Sequence, residues 1–408
     1  MPSRKTELAR TPAAPSTLPR VVVSSRGAAR LRDGHVWVYR SDIVSPGEAK
    51  PGAAVLVSDQ RGRNLGTALY SSSSQIAIRL LAREVLDSFE AVLSLIRRRI
   101  PEAIAYRENV VRDSDAYRVI FSEADFVPGL IVDRYNDVLS FQVLTQAMDD
   151  HAVRQTIIQT LIQEMKPESV VERVEPHVRE LEQLPPGESG VIHGNKTATV
   201  VTMNGVRFHY QAKEGQKTGA FLDQRENYAA AARYAHGEAL DVFCYHGGFA
   251  LHLAPHCSQV TGVDSSRPAL ETAQRNASLN NRDIEWIEAN AFDLLKDYAT
   301  AGRQYDTIVL DPPAFAKSKK TLETALRGYK ELNLRALKML RPGGVLVTCS
   351  CSYHVGDGDF IGMLGEAAAD AHRTVRILEE RAQAQDHPIL LNVPETAYLK
   401  CAICNVSH

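Results

Sequence analysis

Between residues 53 and 82 the chain carries three short apolar or alternating runs, AAVLVSD, NLGTALYS and QIAIRLLA. Ile76, Ile78 and Leu80 keep the two-residue period of a half-buried strand, and Asp59–Arg63 with Gly62 and Gly66 supply the breaks. These runs predict a small β-rich module over residues 21–88. At Phe89 the period changes: Phe89, Val92, Leu93, Ile96 and Ile100 recur at helical spacing. Strands are then predicted at Tyr117–Phe121, Leu130–Val132 and Val138–Leu144, separated by Pro128-Gly129 and Asn136-Asp137. A helix over His151–Met165 and a strand over Ser169–Val174 complete an α+β middle region, taken as residues 89–195. Asn204-Gly205, flanked by Thr197–Met203 and Val206–Gln211, predicts a tight hairpin. Beyond it the runs ALDVF, QVTGVD, IEWIEA, TIVLD and GVLVTCS alternate with helical stretches. Continuous apolar strands of this kind predict an α/β domain over 196–408, a parallel sheet with helices on both faces.

Composition adds limits to this picture. Hydrophobic content of 44% and charged content of 24% over 408 residues are those of a globular chain. No run reaches the roughly 18 apolar residues of a membrane span. The opening MPSRKTELARTPAAPSTLP lacks an apolar signal region and reads as a disordered tail over 1–20. The six cysteines form no regular framework, so free thiols and a cytoplasmic location are expected. Cys401 and Cys404 form a Cys-x-x-Cys, but no second ligand pair accompanies them and AYLKCAICNVSH reads as a terminal strand rather than a zinc site. Net charge is −2, yet residues 1–85 hold thirteen Lys/Arg against six Asp/Glu, a net of +7 that leaves −9 for the rest. A basic module on an acidic body fits nucleic-acid docking, as well as a merely solvated surface.

The candidate chemistry lies at strand ends of the C-terminal domain. The first strand–helix junction, DVFCYHGGFA (Asp241–Ala250), joins an acidic residue to a Gly pair, where backbone can approach a ligand and a helix start offers free N–H groups. It is not the Gly-x-Gly-x-x-Gly of dinucleotide sites. Asp264, 23 residues beyond Asp241, ends the second strand and suits hydrogen bonding to ribose hydroxyls. Asp311-Pro312-Pro313-Ala314-Phe315 follows an apolar strand and makes a stiff lip, with Asp311 facing a base edge and Phe315 available to stack on it. The later strand ends in Cys349-Ser350-Cys351, whose two thiols share a face if the strand stays regular. Either could be a nucleophile or a core cysteine on residue type alone.

Taken in order, these motifs resemble class I S-adenosylmethionine-dependent methyltransferases. GQKTGAFLDQREN (Gly215–Asn227), DVFCYHGGFAL, DPPAFAKSK with RGYKELN, and VTCSCS are similar to the ribosomal RNA large-subunit methyltransferase I family. EADFVPGLIVDRYND resembles that family's middle domain, and HVWVYRSDI with RGRNLGTALYSSSSQIAIRLL its N-terminal PUA RNA-binding module. The resemblance implies a Rossmann-like methyltransferase domain, a β-rich PUA module and a small α+β middle domain. It implies a cofactor site of Phe243, Gly247, Asp264, Asn290, Ala291 and Asp311, with Gln224, Arg225 and Asn227 near the methionine part. It also selects Cys351, the central residue of Ser-Cys-Ser, as nucleophile. Three positions depart from the family: Cys244 stands where Ser is common, His246 where Thr is usual, and Asn290 where an Asp contacts adenine. Asn still offers an acceptor and a donor, so that departure bears on affinity more than on cofactor identity. The resemblance further implies 23S ribosomal RNA as partner and 5-methylcytosine as product, with no membrane partner, and is compatible with a homodimer.

The implied chemistry uses the thiolate of Cys351 on cytosine C6 and Asp311 on the N3/N4 edge, the base for the C5 proton being unassigned. Two alternatives use the same fold. An RNA base N-methyltransferase would use Asp-Pro-Pro and an aromatic without a cysteine. A non-catalytic RNA-binding assembly factor would keep only the cofactor site.

Overall fold

The computed structural model describes residues 16–212, 220–316 and 318–408. Most of the tail expected at 1–20, and Gly215–Gly219 of the GQKTGAFLDQREN motif, lie outside them. The N-terminal sheet has six strands between Arg20 and Ala82, three of which are the strands read from the sequence: Ala54–Asp59, Asn64–Tyr70 and Ile76–Ala82. A helix, Ser25–Arg32, packs on it through Ala28 and Leu31 and is capped by Ser24, whose hydroxyl accepts from the Gly27 N–H. SRGAARLR carries too few apolar residues to show a helical period, so the sequence showed strands alone there.

Residues 89–193 form the helix Phe89–Val110 and a five-stranded sheet carrying the helix His151–Met165. Asp150 caps that helix by accepting from the N–H groups of Ala152 and Val153. The hairpin Ala198–Met203 and Val206–Gln211 turns on Asn204 (φ 51°) and Gly205 (φ 82°), the paired positive dihedrals that an Asn-Gly turn supplies.

The C-terminal sheet has seven strands: β1 (Glu238–Val242), β2 (Gln259–Asp264), β3 (Glu285–Glu288), β4 (Tyr305–Leu310), β5 (Leu340–Ser350), β6 (Thr374–Arg381) and β7 (Lys400–Ser407). Their spatial order is β3-β2-β1-β4-β5-β7-β6, all parallel except β7, which runs antiparallel to β5 and β6. The helices are α1 (Arg225–Ala232), α2 (Gly248–Leu253), α3 (Arg267–Leu279), α4 (Ala291–Thr300), α5 (Leu322–Met339) and α6 (Asp357–Asp370). Side chains alternate across the sheet. Leu240, Val242, Ile308 and Leu310 share one core with α4, α5 and α6, whereas Ala239, Val309, Val345 and Val347 share another with α1 and α2. Each fully buried Leu, Ile or Val contributes about 1.5–3 kcal/mol, so neither face tolerates a register slip. The order reverses between β1 and β4, which opens a crevice at their carboxyl ends. Among the described residues no helix is long and apolar enough to cross a membrane.

Candidate active site

A cavity of about 930 Å³ occupies that crevice. The carboxyl ends of β1, β2 and β4 and the residue after β5 form its floor; the 198–211 hairpin and residues 220–224 form its wall. The volume suits a ligand of nucleoside size with room beside it.

At the β1–β2 end the backbone is bent sharply. Phe243 (φ 69°) and Tyr245 (φ 47°) are in the left-handed region, and both Phe243 and Cys244 donate their N–H to the Val263 carbonyl. Such conformations persist in non-glycine residues only where surrounding contacts impose them. Gly247 (φ 82°) closes the turn, and a Cβ there would stand 2.9 Å from the Trp286 ring. Asp264 accepts from the Tyr245 N–H at one oxygen and from the Ser266 N–H at the other, both at 2.9 Å, which fixes the carboxylate on the cavity wall. Tyr245 stacks on His246 at 3.7 Å with Phe221 edge-on at 5.1 Å. Burial, with Arg275 adding repulsion, lowers His246 to about 4, so the ring is neutral at pH 7. Behind the turn Asp241 is fully buried, accepts from the Ala250 N–H, and is raised by that burial to about 8.

At the β4–β5 end a chain of side chains sets the geometry. Arg381 donates to Asn227, Asn227 to the Gln224 carbonyl oxygen, and the Gln224 amide to Asp311 at 2.9 Å. The first two links fix which way the Gln224 amide points, so that its NH₂ meets the carboxylate. β5 ends at Ser350, and Cys351 follows it with Sγ 3.9 Å from the Pro312 carbonyl. Ser352 ties strand and lip together: its hydroxyl accepts from the Ala316 N–H at 3.1 Å and pairs with the Tyr329 hydroxyl at 2.9 Å.

Cys244 and Cys351 line the cavity and Cys349 lies two residues before Cys351 inside β5; burial separates the three. Cys244 is 5% exposed, and burial beside Asp241 and Asp264 raises its thiol well above the ordinary value. Cys349 lies deeper than Cys351, opposite Cys401 of β7, and burial raises its thiol strongly as well. Cys351 alone of the three is partly exposed on the cavity.

Of the residues singled out in the sequence, Gln224, Phe243, Asp264, Asp311 and Cys351 come together on the cavity wall. Arg225, Asn227, Gly247, Asn290 and Ala291 do not line it. Arg225 is buried against Asp386 at 3.2 Å, and Asn227 sits behind Gln224. Asn290 caps α4, its carbonyl oxygen accepting from Phe292 and Asp293, while Ala291 is buried in that helix. Phe315, expected to stack on a base, instead packs on Tyr329 (4.7 Å) and Phe292 (5.9 Å). Cys401 and Cys404 are buried in β7, and no cluster of three metal-ligating side chains occurs among the described residues. The hairpin residues Phe208, His209 and Tyr210, together with Arg275 and Leu399, complete the wall without having been singled out in the sequence. The aromatic alternation in VRFHYQ was their one visible signal.

The pocket's chemistry fits S-adenosylmethionine: a bent backbone turn and a strand-end carboxylate for a ribose, in a cavity with room beyond a nucleoside. Comparison with known proteins agrees. Residues 146–403 match the family described as S-adenosylmethionine-dependent methyltransferase, and residues 21–83 match the PUA-like domain. The chain is 37% identical over 387 residues to ribosomal RNA large subunit methyltransferase I of Shewanella denitrificans, covering 92% of this chain and 96% of that protein. It is 38% identical over 388 residues to the protein of the same name from Photobacterium profundum, with the same coverage of each. The crystal structure of SMU.776 complexed with SAH superposes with a TM-score of 0.81 at 19% identity, covering 95% of this chain and all of that one. The chain is an S-adenosylmethionine-dependent enzyme, and it belongs to the ribosomal RNA large subunit methyltransferase I family.

Proposed function

We propose that this enzyme methylates carbon 5 of a cytosine in large-subunit ribosomal RNA in the cytoplasm, with Cys351 as nucleophile. One observation carries the reading: Cys351, partly exposed, shares a single cavity with Asp311 and with the strand-end carboxylate of Asp264. Cytosine C5 is a weak nucleophile. Addition of the Cys351 thiolate to C6 moves electron density onto C5, which can then accept a methyl group. Loss of the C5 proton to a base restores the ring double bond and expels the sulfur. S-adenosylmethionine, when bound, supplies the methyl group on an electrophilic sulfonium. Asp264 would accept from its ribose hydroxyls. Asp311, oriented by Gln224, would accept from the cytosine N4 amine.

The target base must leave its stack to reach the pocket, which favours loops or incompletely folded RNA. The basic N-terminal module would supply phosphate contacts that orient the RNA rather than read it. Amine methylation is the weaker reading, because the aromatic of the Asp-Pro-Pro lip packs on Tyr329 and Phe292 instead of lining the cavity. Incubation with methyl-labelled S-adenosylmethionine and unmodified large-subunit RNA, followed by mass spectrometry of the nucleosides, tests the proposal. Label in 5-methylcytidine is expected; label in a methylated exocyclic amine would overturn it.

A further inference from the structure

Lys400 opens β7 directly opposite Ser350, the last residue of β5. It is 8% exposed, and its Nζ donates to the carbonyl oxygens of Ser352 (2.8 Å) and Tyr398 (2.9 Å). Because Ser352 follows Cys351, this clamp fixes an ammonium one residue along the backbone from the thiol, within electrostatic reach of it. Among the described residues no carboxylate lies within 4 Å of that Nζ. A buried cation without a paired anion is costly, by several kcal/mol, whereas an apolar side chain would fill the same space freely. Among the described residues, Asp311 at the end of β4 shares the cavity with the sulfur and Tyr329 from α5 interacts with it, while Asp357 at the start of α6 acts on Lys400; each of the three is acidic and opposes a further negative charge.

We propose that Lys400 is a positioning residue for the nucleophile: its ammonium, fixed by the two carbonyls, holds Cys351 as the thiolate before the pyrimidine arrives. The thiol proton passes to solvent, and Lys400 keeps its own three protons throughout. Sulfur addition to C6 carries the negative charge into the ring, and elimination returns it to the sulfur beside the same ammonium. Burial lowers the Lys400 ammonium from its ordinary value, while Asp357 and the Cys351 thiolate act in the opposite direction. The pairing is therefore mutual.

The inference rests on Cys351 as nucleophile, but its test reads the thiol itself. Alkylation of Cys351 by iodoacetamide would be followed by peptide mass spectrometry in the full-length protein between about pH 6 and 10, where cysteine ionises. Lys400→Met and Lys400→Gln would be compared, since glutamine keeps N–H donors for the carbonyls and removes the charge. Both variants are expected to react about tenfold more slowly than wild type at neutral pH, the loss vanishing at high pH, with Lys400→Arg restoring most of the rate. A wild-type pH profile in a folded Lys400→Gln protein would overturn the proposal, as would a loss equal at every pH. Were neither variant to fold, the wild-type profile still decides: a rising limb at the ordinary cysteine value of ~8.5 would sink it. Methyl transfer surviving in Cys351→Ala would remove the nucleophile assignment while leaving the alkylation result standing.

Discussion

The two ends of the cavity are built differently. The β1–β2 end comes from one short stretch, Asp241 to Ser266, whose own backbone hydrogen bonds fix Asp264 in place. The β4–β5 end is assembled from segments far apart in the chain: Gln224 and Asn227, the Asp311 lip, Tyr329, Cys351, Arg381 and Lys400. A contiguous turn can bind a ligand almost regardless of what lies around it. A nucleophile needs an orientation and a charge environment that a single strand end cannot supply, because its neighbours along the chain point elsewhere. Binding is therefore local in sequence, and bond-making chemistry is distributed.

The largest effect should separate the ends completely. Cys351→Ala is expected to reduce methyl transfer by roughly a thousandfold or more, as loss of a nucleophile does. Its affinity for S-adenosylhomocysteine by calorimetry should stay within a few-fold of wild type. The companion Cys349→Ala, removing a buried thiol that faces Cys401, should retain transfer and cost about 1 kcal/mol of stability on denaturant unfolding. Equal loss of activity in both would mean that burial does not distinguish the two thiols.

Asp264→Ala acts on the other end. Loss of a carboxylate that accepts ligand hydroxyls removes about 1.5–3 kcal/mol, or roughly tenfold to a hundredfold in cofactor affinity. Cys351 alkylation should be unchanged. A change in thiol reactivity would show that the two ends are coupled.

An effect on stability rather than on activity concerns Asp241, behind the cofactor turn. Its carboxyl is raised to about 8 in the fold, against an unfolded value near 3.9. A raised value means that folding favours the protonated form, so its stabilising contribution is full below about pH 4 and declines as pH rises toward 8. Asp241→Asn should flatten that part of the profile, melting closer to wild type at pH 5 than at pH 8.5 and above it at the latter. Indistinguishable slopes would place the proton elsewhere.

The contrast between the ends also decides what could be read from sequence. Strand periodicity located five of the six parallel strands of the C-terminal sheet, β1 to β5, because their apolar runs are bounded by turns; β6 (Thr374–Arg381) is largely exposed and carries no such run. Asp264 and Asp311 were legible since a strand end followed by a turn fixes where a side chain goes. The helix Ser25–Arg32 was not, lacking an apolar stripe. Nor were the hydrogen-bond chain through Asn227 to Asp311 or the seating of Lys400, which join residues more than 80 and about 50 positions apart. No local pattern carries such pairings. Phe315 shows the limit from the other side, since its motif offers a stacking ring but packing against Tyr329 claims it. The separation of Cys351 from Cys349 likewise depends on β5 ending at Ser350 and on β7 covering the deeper thiol.

The central claim, attack by Cys351 on a cytosine ring, is open to one direct measurement. Large-subunit RNA transcribed with 5-fluorocytidine would be incubated with the enzyme and S-adenosylmethionine, because fluorine at C5 cannot leave as a proton and so blocks release of the sulfur. Attack by Cys351 would leave a protein–RNA species that survives denaturing electrophoresis and whose digested peptide carries the nucleotide on Cys351. No such species with catalytically active enzyme, or one that persists in Cys351→Ala, would contradict it.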